Sequence, residues 1–499
     1  MGIGKKLAIG CFGVMVLTCA GVPTLLWSIG GGRPTIAVDY EAKLNERAAA
    51  VPEGDRAWPI YRELTAELQS LEELDSLVLD RSLTPESVEM DRLRLFVEAN
   101  ASLVERARAA GSKPGLGYVT SRENEASYLE ARGESVDDLD DGTGSPRWLL
   151  LIELPHLSDA RSMARLLAAD LRVAAAEGSG DRVVRDLGSM LGLSRQAGEH
   201  DFLICQLVEL AIRGLAFGEI EWVLRTDASV LSGSDLREIG SMLDSLDGGG
   251  RYDISYEGER LHFYDTIQRA YTDDGKGNGK ILIDSIESVG NTSNGNSGGA
   301  AQGSFPKRVG TGIVRLFSMD RAAFTRVADE LFDWAEHSAK RPRTEWQGPP
   351  PSDELERAYD GDEIFPLDYG MRLLSLLVPA LGKASVVADE SNARKDAVRI
   401  AVAAERFRRD EGRWPTRVEE LTPTYLDTVP ADPFAEGPLE ITSTETGIVV
   451  YSVGGDRDDD GGRHGLLAKR WVDPAEAGSI SNGDDAEGDW VLFPEPKRR

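Results

Sequence analysis

The residues in this chain best suited to chemistry are carboxylates, and the densest set is Asp456, Asp458, Asp459 and Asp460, followed by Gly461-Gly462. Calcium takes roughly six to eight oxygens from a flexible loop, and clustered aspartates with glycine supply them. Adjacent carboxylates also repel one another, so a cation is their natural partner. The sequence therefore nominates Asp456, Asp458 and Asp460 as calcium ligands, with a solvated acidic turn as the alternative.

Other candidates are weaker. The turn from Asp273 to Ile281 carries part of an EF-hand spacing in Asp274, Asn278, Gly279 and Ile281. Lys276 occupies its third position, and Ser285 stands where the bidentate Glu belongs, so it reads as a structural turn. Glu259-Arg260-Leu261-His262 has the Glu-x-x-His spacing of a di-iron helix, with Asp265 one turn on, but no second copy exists. Five histidines in all give zinc catalysis little support, and His200 and His337, each following a Glu at a helix edge, read as surface residues. Cys205 lies in the apolar run Phe202-Leu203-Ile204-Cys205-Gln206-Leu207-Val208 and reads as a buried, inert thiol. The chain has no Gly-x-Ser-x-Gly, P-loop or dinucleotide fingerprint, and spacing alone selects no catalytic residue from its 85 acids.

These residues must be positioned by helices. Of 499 residues, 41% are hydrophobic and 28% charged, enough to bury a substantial core. A net charge of −29 repels phosphates and argues against nucleic acid as a partner. Apolar spacing predicts helices over 42–50, 58–79 and 87–110, the last started by Thr84 and Pro85. The clearest signal covers 158–224 as three helices broken at 178–180 and 199–201, with Asp181 capping the second. Short loops there predict antiparallel neighbours, in an irregular bundle because no fixed-period repeat is present. Further helices are expected over 231–246, 252–271 and 320–339, and residues 363–381 read as a buried helix.

Residues 7–29 carry no charge, and at about 1.5 Å per residue they span the roughly 30 Å hydrocarbon core of a bilayer. Lys5 and Lys6 precede this stretch, while Asp39, Glu41 and Glu46 follow it. The expectation is a single-pass signal anchor with a cytoplasmic N-terminus and the body in the bacterial periplasm. Thr18-Cys19-Ala20 is a poor cleavage site, and neither Cys11 nor Cys19 has the flanks of a lipid-modified cysteine.

From Ala384 the character changes. A helix to about Asp410 leads into Gly412-Arg413-Trp414-Pro415, then Asp432-Pro433-Phe434, and Tyr451-Ser452-Val453-Gly454-Gly455-Asp456 closes the segment. Alternation at Leu439, Ile441, Ile448 and Val450 predicts a hairpin packed on the helix. Residues 384–462 resemble the globular head of the major pseudopilin of type II secretion. That resemblance implies a helix leading into a small antiparallel sheet, and a calcium loop in which Asp456 matches the family's aspartate. Residues 33–383 separate the anchor from this head and no prepilin-peptidase motif precedes it, so the head reads as a reused domain rather than a pilus subunit.

The expected fold class is α+β: an N-terminal transmembrane helix, a mainly helical body and a small pilin-like C-terminal domain. The divisions fall at 1–32 (anchor), 33–287 (body), 288–304 (low-complexity linker), 305–383 (body continued) and 384–499 (head with acidic loop and tail). The functional expectation is a non-enzymatic scaffold or interaction protein of the cell envelope. One alternative is an envelope hydrolase using Glu257, Glu259 and Asp265, recognisable by a deep cleft that gathers them with His262. Another is a secretion-system or pilus-associated component.

Overall fold

Alanine and leucine at helical spacing shape the centre of the molecule. In the computed structural model they form three consecutive long helices, α7 (His156–Ala176), α8 (Gly180–Ala197) and α9 (Leu203–Asp227). The structure describes residues 32–69, 71, 83–136, 148–282, 318–340, 369–444, 447–465 and 488–496. The stretch read as a membrane anchor lies outside them; among the described residues no helix is long and apolar enough to cross a membrane.

Before the central helices come α1 (Tyr40–Leu44), α2 (Glu46–Ala50), α3 (Trp58–Leu68), α4 (Val88–Ala99), α5 (Ala101–Gly111) and α6 (Arg122–Arg132). After them come α10 (Gly233–Ser245), α11 (Glu257–Ala270), α12 (Arg321–Ala339) and α13 (Tyr369–Glu411). Strands β1 (Glu440–Ser443), β2 (Ile448–Ser452) and β3 (Trp490–Phe493) form one antiparallel sheet in that order. The fold class is α+β, mainly helical.

The periodic residues sit where their spacing puts them. Ala160, Met163, Ala164, Leu167, Leu171 and Ala174 of α7 are buried, as are Val183, Val184, Leu187, Met190 and Leu191 of α8. Glycine lets α5 and α8 touch: a methyl group on Gly192 would overlap the Gly111 carbonyl oxygen, and one on Gly111 would overlap that of Ser189. Buried ion pairs cross the same helices, with Arg172 on α7 gripping Glu219 on α9 at 2.7 and 2.9 Å.

Three hydrophobic cores result among the described residues. The first joins α3–α5 to α7–α10, and the second packs α11 and α12 with Leu203 and Leu210 of α9. The third packs Leu439, Ile441, Ile448 and Val450 against Ala397, Ile400, Ala404 and Phe407 of α13. α13 contributes to all three, through Val398 and Val402, through Ala384 and Ala388, and through its C-terminal half.

Several expectations change. The helix over 87–110 is two helices meeting at Asn100, and its cap is Ser87, whose hydroxyl accepts from the Met90 amide, not Thr84. Ser179 rather than Asp181 precedes α8, and its side chain makes no capping bond. α6 and β3 were not expected. β3 completes the head from far along the chain, pairing Val450 with Phe493.

The Gly192 contact is testable. Gly192→Ala should destabilise the chain by about 1–3 kcal/mol through overpacking. Gly214→Ala, in α9 with open space around it, should be neutral or stabilising by up to about 1 kcal/mol. Urea denaturation followed by circular dichroism measures both, and equal effects would remove the close approach as the cause.

Candidate functional site

The acidic loop hangs between β2 and β3. Its start is built by the head's own motifs: the buried Asp432 carboxylate accepts from the Phe434 amide and the Ser452 hydroxyl, both at 2.7 Å, and from the Val453 amide at 3.0 Å. The Asp-Pro-Phe and Tyr-Ser-Val segments are thus one interlocked turn. Burial still pushes the Asp432 carboxyl up, against these bonds.

Beyond Gly454, Arg457 adopts a left-handed conformation (φ 62°), and Gly461 and Gly462 (φ 69° and 86°) turn the loop back. Asp489, fully buried and absent from the sequence-based candidates, closes it. Its carboxylate accepts from the Gly462 amide at 2.6 Å and the Asp460 amide at 3.3 Å. Asp456 accepts from the Gly488 amide at 3.2 Å and Asp458 is exposed, while Asp460 pairs with Arg463 at 2.8 Å. Burial, then the charges of Asp459 and Asp460, raise Asp489 to about 6; Asp456 is raised by burial and by Asp460.

Asp456, Asp458 and Asp460 thus share one loop, but their carboxylates do not converge. Among the described residues no three acids, thiols or imidazoles meet in a geometry that could hold a metal. The donor chemistry suits a hard cation, since every side chain offered is a carboxylate and the acids raise one another.

The remaining sequence candidates are engaged structurally. Glu259 accepts from the Leu203 amide at 3.0 Å, satisfying the start of α9, and lies 3.7 Å from His262. Asp265 is buried and accepts from the Leu149 amide, Gln268 and Arg269 at 2.9, 3.0 and 2.7 Å. Glu257 is exposed. The Asp274 turn is closed by its own amides, Lys276 at 2.8 Å and Asn278 at 3.0 Å, and Asp273 pairs with Arg321 at 2.6 Å. Among the described residues, these acids do not gather with His262 into a group of three or more potential metal ligands.

Among the described residues, cavities lie elsewhere. One of about 640 Å³ separates head from body between Arg225, Arg408, Trp414, Ile448 and Phe493. Another, about 480 Å³, is walled by Arg94, Glu98, Glu105, Arg108 and Arg182. In the second, Arg108 binds Asp186 at 2.5 Å and also pairs with Asp170 and Glu105, while Arg182 holds Asp170 and Glu177. Those guanidiniums are therefore engaged by the protein itself.

One histidine expectation fails. His200 is not a surface residue: it is 1% exposed, facing His156, which is fully buried. The neighbouring Glu199, which made it read as surface, is itself buried because its carboxylate accepts from the Leu116 and Gly117 amides at 2.9 and 2.6 Å. His337 is exposed, as read.

Cys205 is fully buried and unpaired in any disulfide. Burial, then the charges of Glu259 and Asp201, push its thiol far above the ordinary range. The thiolate is the reactive form, so Cys205 should resist iodoacetamide in the native chain and react fully in guanidinium chloride, as read by peptide mapping. Native-state labelling at the rate of a free thiol would refute that burial.

No protein family, curated protein or solved structure matches this chain.

Proposed function

We propose that this chain is a non-enzymatic scaffold or interaction protein of the bacterial envelope. Residues 7–29 anchor it in the membrane, its body lies in the periplasm, and it presents a pseudopilin-like head whose acidic loop takes calcium. The observation that carries the scaffold reading is the sharing of α13 among all three cores. A helix packed into the body and the head at successive positions from Ala384 to Phe407 ties the head to the body, which suits presentation of a surface. The engagement of Glu259 and Asp265 in backbone and ion-pair bonds supports the same reading over hydrolysis.

Asp456, Asp458 and Asp460 are the residues that would hold calcium. The ion would relieve the repulsion that adds to burial in raising Asp456 and Asp489. The interlock of Asp432 with Ser452 supports the pilin-like reading of the head, because it links the two motifs on which the resemblance rests.

Calcium at about 100 times its dissociation constant should stabilise the chain by about 2–3 kcal/mol, raising the melting temperature in calorimetry, and a chelator should reverse it. The triple variant Asp456→Asn, Asp458→Asn, Asp460→Asn should lose the response. A flat titration ends the calcium reading alone. The placement is tested separately by fractionation: the chain should sediment with membranes, with its body digested by protease added to spheroplasts. A protected body would overturn the orientation.

A further inference from the structure

We propose that His156 and His200 form a buried two-imidazole site for a single copper(I) ion. His156 is the first residue of α7, and His200 lies in the turn between α8 and α9. They are 0% and 1% exposed, and none of their four ring nitrogens has a hydrogen-bond partner. A neutral imidazole carries one donor and one acceptor, and a buried polar group left unsatisfied is destabilising. Four such atoms on two facing residues ask for an occupant.

The spacing defines its size. The ring centroids are 5.7 Å apart at 39°, and the nitrogens make no direct hydrogen bond. A metal about 2.0 Å from one nitrogen of each ring puts the centroids roughly 6 Å apart in a nearly linear arrangement, close to what is seen.

The surroundings define its charge and coordination number. Tyr118 lies 5.3 Å from His156 and 5.9 Å from His200, centroid to centroid, with Trp58 behind it at 4.3 Å. No third acid, thiol or imidazole converges among the described residues. Glu199 holds the Leu116 and Gly117 amides, and Asp159, one turn along α7, accepts from the Tyr128 hydroxyl at 3.2 Å. Zinc wants four ligands, and a divalent charge beside two neutral nitrogens in a dry site is poorly compensated. Copper(I) carries one charge, accepts two nitrogen ligands, and gains from nearby aromatic faces.

The test uses the full-length chain with Cys11→Ser and Cys19→Ser, which removes competing thiols near the N-terminus. Copper(I), supplied anaerobically as its acetonitrile complex against a chromogenic chelator, should be retained at one equivalent. X-ray absorption should report two imidazole nitrogens. His156→Phe and His200→Phe, singly and together, should weaken retention by more than about 100-fold, with folding checked by circular dichroism. If the variants misfold, the absorption spectrum of the parent chain decides. Absence of copper uptake, uptake unchanged by the substitutions, or a spectrum of oxygen or sulfur ligands overturns the proposal. So does equal competition by zinc, or a bridging water as the only occupant.

Discussion

Arg213 sits in the middle of α9 with almost no access to water, and a buried guanidinium stripped of its partners costs about 3–5 kcal/mol. Its partners set the geometry of the rest. Glu209, one turn back, accepts at 2.6 Å, and Asp247 accepts at 2.8 and 3.0 Å. Asp247 must reach inward from the turn after α10, and it does so with φ 57°, followed by Gly248 and Gly249 at 66° and 84°. Its carboxylate also accepts from Lys395 of α13 at 3.2 Å, and Lys395 donates to the Gly250 carbonyl at 2.7 Å. The Tyr252 hydroxyl closes the network on Glu209 at 2.9 Å. One buried cation therefore fixes a left-handed turn, and that turn fixes α13. Because the head packs on α13, its position relative to the central helices follows from the same network.

The central helices were legible because their chemistry is local. Apolar residues three and four apart on α7 and α8 have no other way to leave water than along one face. α6 was not legible from periodicity, since its only buried side chains are Glu125 and Tyr128. Its ends did carry signals: Ser121 accepts from the Asn124 amide, and Gly133 ends the helix at φ 74°. β3 was illegible for a different reason. Trp490–Phe493 is a short run beyond an acidic stretch, and its partner β2 is distant in the chain, so no local pattern announces the pairing. His200 was misread because an acidic neighbour ordinarily means water. Glu199 is instead buried, with two backbone amides taking the place of solvent.

The head's motifs show how far spacing can lead. Asp432 and Ser452 stand in segments whose order suggested a familiar arrangement, yet the reason they occur together is a 2.7 Å bond that no spacing reveals. The acidic loop was found by composition, but Asp489, which closes it, lies beyond the segment that drew attention. Its isolation in sequence hid a carboxylate that the fold brings near Asp459 and Asp460.

The two proposed metal sites differ in the property that selects an ion. The loop offers carboxylate oxygens, partly wet and mutually repelling, on backbone turned by glycine; such donors reward a small, highly charged, hard cation able to take several ligands. The histidine pair offers neutral nitrogens in an aromatic enclosure, where each added charge must be stripped of water. A divalent ion there would lack both ligands and counter-charge, whereas a monovalent, polarisable one is served by two nitrogens and brings half the charge to be compensated. Calcium gains little from imidazole, and copper(I) gains little from hydrated carboxylate. Within this highly acidic chain, discrimination between the two ions therefore rests on burial: beside the histidine pair, the carboxylates of Glu199 and Asp159 are already committed to amides and a tyrosine hydroxyl.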